Sequence, residues 1–477
     1  MLQTTQPTST PLGKPFWLLW SIELWERFGY YGVQAIIALY FVKHLGYTEA
    51  QSFYVFGSFT AFVYGFVWIG GWIGDKYLGA KWTLFLGAII LMLSYAGLAL
   101  CNQHTIFYAL AGIIIGSALF KANPASLIAK IFGQGNQTLD GAMTLYYMAV
   151  NVGSILSMSL TPFIAQKYGW SYAFGLCSFG LLLAVINFCL FKSLLSDIGT
   201  KVDKQPFNLA RTSLILCVSF IMIIIIAQLL DHTQICNWIV GTVVSIGFLY
   251  FLKMSFTLHG TAKLRMLVAF ILILEGVLFY ALYNQMPTSL TFFAVHNIDN
   301  HFFGWTISPA QYQVLNPIVI LLVSPFLVRI YRQHPGTHVT KFCIGMSLCA
   351  AAFLVLGLPQ YFTVNGLASP LWMVLTYFLQ STGELLISGL GLAMVAELCP
   401  ATMSGFVMGI WLLTNMLAGP IGAGLGAMTA PSSIITSLSP QVSMSIYAGV
   451  FSKIGLFTAL IALLMWISRP WLNRLLK

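Results

Sequence analysis

Long apolar runs, separated by short polar segments or by Gly and Pro, recur along almost the whole 477-residue chain. Each run approaches the roughly 20 residues that an α-helix needs to cross the hydrocarbon core of a bilayer. Residues 84–100 and 214–230 show no alternation of apolar and polar positions, which a membrane-spanning β-strand would require. The pattern therefore predicts an all-α membrane protein with the lipid bilayer as its solvent.

Fourteen runs are long enough to be membrane helices, and their spacing divides the chain into three parts. Residues 1–195 are predicted to form an N-terminal six-helix bundle, 196–262 a linker with an inserted helix pair, and 263–477 a C-terminal six-helix bundle. No sequence repeat relates the halves, but the layout is compatible with the parallel repeats of transporters. The predicted helices are 16–43, 50–74, 82–100, 105–131, 139–165, 170–193, 209–230, 235–257, 266–289, 309–333, 341–358, 370–397, 403–428 and 445–468.

The positions of Lys and Arg test this helix count, because basic residues concentrate in cytoplasmic loops. With the amino terminus inside, most of the 22 Lys and Arg residues fall on the cytoplasmic side. The bias persists through the last helix, which supports an even count with both termini cytoplasmic. The amino terminus also lacks the apolar core of a cleaved signal peptide. The exceptions to the bias are Lys43, Lys167 and Lys453 on the outer side, and Arg27 and Lys121 within helices.

Composition agrees with a membrane protein: 58% of residues are hydrophobic and 7% are charged, against about 25% charged in soluble domains. The net charge of +10 is explained by the cytoplasmic loops, so we expect no nucleic-acid partner. The eight cysteines lie mostly inside apolar runs without a CxxC pair, and we expect neither a metal site nor a cofactor.

Six charged residues need an explanation because they fall near the middle of the bilayer, where a charge costs about 2.5–3.5 kcal/mol on insertion scales. One explanation is a charge pair that joins helices. The other is a polar cavity or a proton pathway. The six residues are Glu23, Glu26, Arg27, Lys121, Glu275 and Glu384.

Helix 1 carries half of these charges, and its helical spacing places polar residues on one face. A carboxylate beside a cation can release or take up a proton when the cation moves away, because the cation stabilises the charged form. Aromatic stripes usually reflect packing, but beside three charges the tyrosines favour a site. The shared face holds Glu23, Arg27, Tyr30, Tyr31 and Gln34, with Glu26 beside it.

Lys121 and Glu384 supply opposite charges in the two halves. The Lys121 amine has two candidate partners, a carboxylate of helix 1 or a carboxylate of a substrate. A zwitterionic ligand needs both signs at separate points. Asn151 and Asn316, each in an apolar context, add amides that both donate and accept hydrogen bonds.

The run Glu23-Leu-Trp-Glu-Arg-Phe-Gly-Tyr-Tyr-Gly32 resembles the ExxERFxYYG signature of the proton-dependent oligopeptide transporter family, a branch of the major facilitator superfamily. The segment 146–154 is similar to a second family signature, and 71–81 resembles the superfamily loop between helices 2 and 3. Further similarity at 285–289, 315–317 and 383–391 extends the resemblance over essentially the whole chain.

The resemblance implies a major facilitator fold, in which two six-helix bundles rock about a central site, with the extra helix pair of bacterial members. It further implies a proton-coupled symporter for di- and tripeptides in a bacterial inner membrane, and we expect a monomer. Glu384 is expected to contact the peptide amino group, helped by Asn151 and Asn316, and Arg27 and Lys121 to face the peptide carboxylate. The other implied pocket residues are Tyr30, Tyr31, Gln34, Tyr64, Tyr147, Ser388 and Trp411; the implied proton-coupling residues are Glu23, Glu26, Arg27, Lys121 and Glu275.

Two positions depart from the family pattern. Gln34 stands where many members have Arg, and Tyr283 or Asn284 stands where they have an acidic residue, so the usual outer-gate salt bridge is in doubt. Glu275, about two turns earlier, either takes a protonation role or pairs within the bundle.

The sequence also bears on three other functions. Transport of another small anion or zwitterion is the main alternative. An intramembrane enzyme is disfavoured because the chain has no HExxH or GxSxG motif. A passive channel is disfavoured, and saturable counterflow would exclude it.

Overall fold

The computed structural model describes residues 12–132, 137–206, 208–302, 304–334, 336–400, 402–431 and 439–475; Phe207 of the predicted linker lies outside them. The described chain is almost entirely helical. Its first group of helices is α1 (Lys14–Lys43), α2 (Glu49–Gly65), α3 (Val67–Lys76), α4 (Ala80–Leu100), α5 (Ile106–Lys121), α6 (Asn123–Phe132), α7 (Gln137–Tyr168) and α8 (Trp170–Phe191).

The inserted pair is α9 (Leu209–Asp231) and α10 (Thr233–Thr257). The last group comprises α11 (Gly260–Tyr283), α12 (Ser289–Asn297), α13 (Leu315–Gln333), α14 (His338–Val355), α15 (Leu371–Leu398), α16 (Ser404–Ala427) and α17 (Pro440–Leu475). Two short strands, β1 (His301–Phe302) and β2 (Trp305–Thr306), form an antiparallel hairpin. Short 3-10 turns cover Lys192–Leu195, Pro309–Val314 and Pro359–Tyr361.

Thirteen spans in the described ranges are long and apolar enough to cross a membrane, with α2 and α3 forming one span and α5 and α6 another. Helix α1 is not among them, although its 30 residues measure about 45 Å at 1.5 Å per residue. Its polar and charged residues lower its hydropathy, and its Glu23 and Glu26 are fully buried inside the protein. With α1 the described spans agree with the fourteen predicted helices.

Three predicted helices are interrupted in the structure. The predicted helix 50–74 breaks at Phe66, between α2 and α3. The predicted helix 105–131 breaks at Ala122, where Pro124 removes a backbone donor from the next turn. The predicted helix 266–289 ends at Tyr283, since a turn containing Pro287 separates it from α12.

The two sides of the membrane are named here by α1: the near side is where Lys14 begins it, and the far side is where Lys43 ends it. Contacts between sequence-distant loops agree with alternating helix directions. On the near side, Asp203 of the linker accepts hydrogen bonds from the backbone N–H groups of Ala80 and Lys81, at 2.9 and 3.0 Å. This carboxylate caps α4 and ties the linker to the first six-helix group.

The two groups of helices meet most extensively where α2 packs against α16. Glycines face each other at this contact: a Cβ added to Gly57 would lie 2.5 Å from the Gly419 carbonyl oxygen, and one added to Gly419 would lie 2.3 Å from that of Gly57. Small residues of this kind let membrane helices approach closely. The inserted pair lies beside this contact, with α9 against α5 and α10 against α16 and α11.

Candidate functional site

A cavity of about 270 Å³ lies between the two groups of helices, close to the lower end of the roughly 300–1,000 Å³ range of small-molecule sites. Its walls come from both halves of the chain and combine aromatic rings with a few polar groups. The lining residues are Tyr31, Gln34, Thr60, Tyr64, Tyr147, Tyr280, Tyr283, Asn284, Glu384, Ser388, Leu392, Trp411, Leu412 and Asn415.

The charge cluster of α1 lies one turn from this cavity. Arg27 Nε donates to Glu23 Oε1 at 2.6 Å and lies 3.2 Å from Glu26 Oε2. The i, i+4 spacing of Glu23 and Arg27 brings these side chains together on one helix face. Because two buried carboxylates compete for one guanidinium, a proton or a second anion at this cluster would change how its charge is balanced.

Lys121, at the end of α5, does not form an ion pair with a described carboxylate. Its Nζ lies 3.9 Å from the centre of the Tyr30 ring and 4.7 Å from that of Tyr64. The amine is buried and makes no hydrogen bond within the described chain. Of the two predicted partners, the helix 1 carboxylates Glu23 and Glu26 interact with the amine electrostatically but form no direct ion pair with it. Aromatic faces support the ammonium group instead.

Glu384 lies on the opposite wall, in α15. Asn316 Nδ2 donates to Glu384 Oε2 at 2.6 Å and to Ser381 Oγ at 3.0 Å. This contact orients one carboxylate oxygen and leaves Glu384 at the cavity wall. Nearby, the Ser388 and Tyr280 hydroxyls lie 2.8 Å apart, within hydrogen-bonding distance.

Tyr31 and Tyr64 lie between the two charged regions. Each interacts electrostatically with Arg27 on one side and with Glu384 on the other. The cavity therefore has a carboxylate on its C-terminal wall and cations behind the tyrosines of its N-terminal wall. Such an arrangement of separated opposite charges suits a small zwitterion.

Trp411 of α16 forms part of the wall because two glycines leave space for its indole ring. A Cβ built at Gly391 would lie 2.0 Å from Trp411 Cζ2, and one at Gly276 would lie 2.9 Å from Cζ3. Any side chain at Gly391 would overlap the ring, so this glycine sets the position of Trp411.

The structure brings seven of the predicted pocket residues to the cavity and places five behind it. Asn316 reaches the cavity through Glu384, and Asn151 donates to the Tyr147 backbone carbonyl at 3.0 Å. Those at the wall are Tyr31, Gln34, Tyr64, Tyr147, Glu384, Ser388 and Trp411, and those behind it are Arg27, Tyr30, Lys121, Asn151 and Asn316.

Sequence reasoning missed several wall residues as pocket residues. Tyr280 and Tyr283 are polar positions in the last two turns of α11, and Asn284 directly follows that helix, so a signal for them was available from the sequence. Asn415 is an amide in the apolar α16 and carries the same signal as Asn151 and Asn316. Thr60 and Leu412 gave no comparable signal, because only the packing of α2 against α16 brings them to the cavity. Leu392 is an ordinary apolar residue of α15.

Glu275, the remaining predicted proton-coupling residue, does not line the cavity. It is 4% exposed, and neither carboxylate oxygen makes a hydrogen bond in the described part of the chain. No ion pair within the described bundle engages it. The predicted alternative, that Glu275 pairs within the bundle, is therefore not supported by a partner among the described residues in this conformation.

Polar contacts close the far side of the interface, and they do not involve the positions of the usual outer-gate salt bridge. Glu49 Oε1 lies 2.6 Å from His296 Nε2, and Tyr447 donates to Glu49 Oε2 at 3.0 Å. Gln313 donates to the Ala35 carbonyl at 3.0 Å. The neutral Gln34 and Asn284 side chains instead line the cavity.

Nearer the near side, two residues of the cavity wall are half exposed: Tyr147 is 50% exposed and Leu392 is 51% exposed. Leu392 lies within two turns of the near-side end of α15. The cavity is therefore open towards the near side and closed towards the far side.

Comparison with known proteins identifies the family. The sequence model of the POT family matches residues 81–442. The chain belongs to the POT family. Dipeptide and tripeptide permease A of Edwardsiella piscicida is 46% identical over 470 residues, which cover 97% of this POT-family chain and 95% of the permease.

Solved structures of similar proteins share the fold of this POT-family chain. One, from a study of substrate recognition in proton dependent oligopeptide transporters, has a TM-score of 0.86 and 33% sequence identity. The alignment covers 96% of this chain and 99% of that structure. Tetrameric PepTSo2 has a TM-score of 0.87 and 34% identity, and covers 97% and 99%. The predicted family and fold class are confirmed.

Proposed function

We propose that this protein is a proton-coupled symporter that imports di- and tripeptides by alternating access. One observation carries the proposal: a small cavity between two helical groups has Glu384 on one wall and the cations Arg27 and Lys121 behind the other. The family and its permease relatives support the same function. Transport needs no chemistry on the substrate, and a transporter family agrees with the expectation that the protein is not an enzyme.

Recognition rests on groups that all short peptides share. Glu384, oriented by Asn316, binds the peptide ammonium group. Arg27 and Lys121 attract the carboxylate through the tyrosine wall. The small cavity volume limits peptide length, while aromatic walls accept many side chains because they impose few directional contacts.

Proton coupling follows from competition for Arg27. When a peptide carboxylate draws Arg27 away, Glu23 and Glu26 lose the cation that stabilises their charge, which favours protonation of one of them. Glu275 is a second candidate proton site, because a buried carboxylate without a partner is stable mainly in its protonated form. No resident cofactor is required in this cycle.

The protein is a multi-pass membrane protein, and its permease relatives support a bacterial inner membrane. We assign the near side to the cytoplasm because it carries most of the Lys and Arg residues. The structure then corresponds to an inward-facing state. The cavity is built within one chain, so we propose the monomer as the transporting unit; a fused or dilute monomer that lacks uptake would contradict this.

The decisive experiment uses proteoliposomes containing the purified protein. An imposed inward proton gradient is expected to drive accumulation of a labelled dipeptide above its external concentration. Accumulation that ignores the gradient would refute proton coupling. Competition by dipeptides but not by nitrate or free amino acids would identify peptides as the substrate class. Competition by nitrate or free amino acids but not by dipeptides would favour the alternative anion or zwitterion carrier.

The matched variants Glu23→Gln, Glu26→Gln and Glu384→Gln separate coupling from binding. Loss of proton-driven uptake with counterflow retained marks a coupling residue, as expected for Glu23 and Glu26. Loss of both is expected for Glu384. Removal of one charged hydrogen bond costs about 1.5–3 kcal/mol, so KM for counterflow by Glu384→Gln should rise about 10- to 150-fold. An unchanged KM would remove Glu384 from the binding site.

A further inference from the structure

A second, mainly apolar groove of about 410 Å³ lies at the far side, among exposed apolar side chains. This seam groove is lined by Phe163 of α7, by Trp305 of the β-hairpin, by Gln311 and Tyr312 before α13, and by Leu371 and Val374 of α15. Phe163 belongs to the N-terminal group of helices and the other five to the C-terminal group. The groove therefore lies on the boundary between the two halves.

The floor of the seam groove is part of the far-side closure. Gln311 Nε2 donates to the Ser159 backbone carbonyl across the boundary at 2.9 Å. Ser159 lies one turn before Phe163 in α7. The groove thus requires the end of α7 to lie beside the start of α15, and it belongs to the state in which the far side is closed.

The exposed apolar side chains of the seam groove match a lipid acyl chain. Trp305 is 78% exposed, Leu371 62% and Phe163 44%. Phe163 and Leu371 lie within two turns of the far-side ends of α7 and α15, at the depth of the first acyl methylenes. An exposed tryptophan is typical of the interface between acyl chains and headgroups.

Charged groups of both signs lie beside residues that line the groove. Lys167 Nζ is 5.5 Å from the centre of the Phe163 ring, and it is one of three basic residues that break the charge bias between the two sides. Asp299 is close enough to Tyr312 to interact with its hydroxyl electrostatically, and its carboxylate lies 3.2 Å from the exposed His301 ring. A headgroup with a phosphate and a primary ammonium complements this pair.

We propose that the seam groove binds an aminophospholipid of the far-side leaflet. One acyl chain fills the apolar groove beside Trp305, Lys167 contacts the phosphate, and Asp299 faces the ammonium group. The assignment rests on the groove and its charges, and it holds whether or not the transported substrate is a peptide.

Tryptophan quenching tests the site directly. The protein is placed in nanodiscs of phosphatidylglycerol that contain increasing fractions of dibromo-phosphatidylethanolamine, and the signal of Trp305 is obtained as the difference between the wild type and Trp305→Phe. Quenching of Trp305 is expected to saturate at a low mole fraction of the brominated lipid. Dibromo-phosphatidylglycerol in phosphatidylethanolamine discs is expected to quench only in proportion to its bulk fraction.

Lys167→Ala should raise the mole fraction for half-quenching about fivefold, as expected for one basic contact at a membrane surface. Lys453→Ala removes another exposed lysine that does not line the groove, and it should leave the curve unchanged. Identical curves for the two lysine variants would overturn the proposal. Stronger quenching by phosphatidylglycerol would overturn the headgroup assignment, and quenching by neither lipid, with crosslinking of Trp305 to a second copy, would show that another protomer covers the groove.

Discussion

The contact between Gly391 and Trp411 gives a sharp test of how the cavity wall is built. In Gly391→Ala the added methyl would start 2.0 Å from Trp411 Cζ2 and 2.2 Å from Cε2, whereas carbon atoms pack at about 3.5–4.0 Å. The indole must therefore move by about 1.5 Å. Gly276 backs the ring on a second side, so the free direction is into the cavity.

Overpacking of this kind costs about 1–3 kcal/mol. If the strain is relieved by displacing Trp411 into the binding space, the cost appears in substrate affinity, and KM for dipeptide counterflow should rise about 5- to 150-fold. Any part of the strain that the movement of Trp411 does not relieve should appear as a lower Tm in detergent. Both quantities are measured on the same purified preparation, by counterflow and by thermal unfolding.

Gly389→Ala is the matched control, because a Cβ at Gly389 meets no atom within 4 Å and it lies in the same helix. Alanine is favoured over glycine in a helix by about 1 kcal/mol, so this variant should be neutral or slightly more stable. The double variant Gly391→Ala with Trp411→Phe has room for the smaller ring and should recover stability. Equal KM and Tm for the two alanine variants would refute the reasoning.

Three further predictions concern charges outside this contact. Asp203→Ala removes the carboxylate cap from the first backbone N–H groups of α4 and should cost about 1–2 kcal/mol, seen as a lower Tm with KM unchanged. Lys121→Met replaces a buried, unpaired ammonium group, so it should raise Tm while abolishing peptide uptake, since buried charge is costly. Glu49→Gln weakens the bond to His296 across the halves, and a cysteine placed at Ala35 should then react several times faster with a thiol reagent added from the far side.

The Asp203 and Lys121 variants each have a conservative counterpart, and Glu49→Gln has a control at another far-side carboxylate. Asp203→Asn keeps one acceptor and should lose less stability than the alanine variant. Lys121→Arg keeps the charge and should retain more uptake than methionine. Asp299→Asn removes a far-side carboxylate that pairs with His301 inside its own loop, so it should leave the labelling rate unchanged. A reversed order of stability, uptake or labelling rate within a pair of variants would contradict the contact that the pair tests.

The amino-acid sequence alone was sufficient for the class of protein, the number of spans and the charged residues that need an explanation. These properties depend on local quantities, namely the length of apolar runs and the cost of a charge in hydrocarbon. The spacing of Glu23 and Arg27 also predicted a shared face, and the structure places them 2.6 Å apart, because helical periodicity is a property of one segment. The family signature was equally local, since it lies in consecutive residues of α1.

The tertiary structure decided which helix faces meet. Lipid and protein interior are similarly apolar, so a membrane helix carries little amphipathic signal to show which side faces its neighbours. The support of Lys121 by two tyrosine rings, the space that Gly391 leaves for Trp411 and the far-side contact of Glu49 with His296 all join residues far apart in the chain. Such contacts depend on how whole helices pack, and they turn a set of costly charges in the sequence into a cavity with a carboxylate on one wall and cations behind the other.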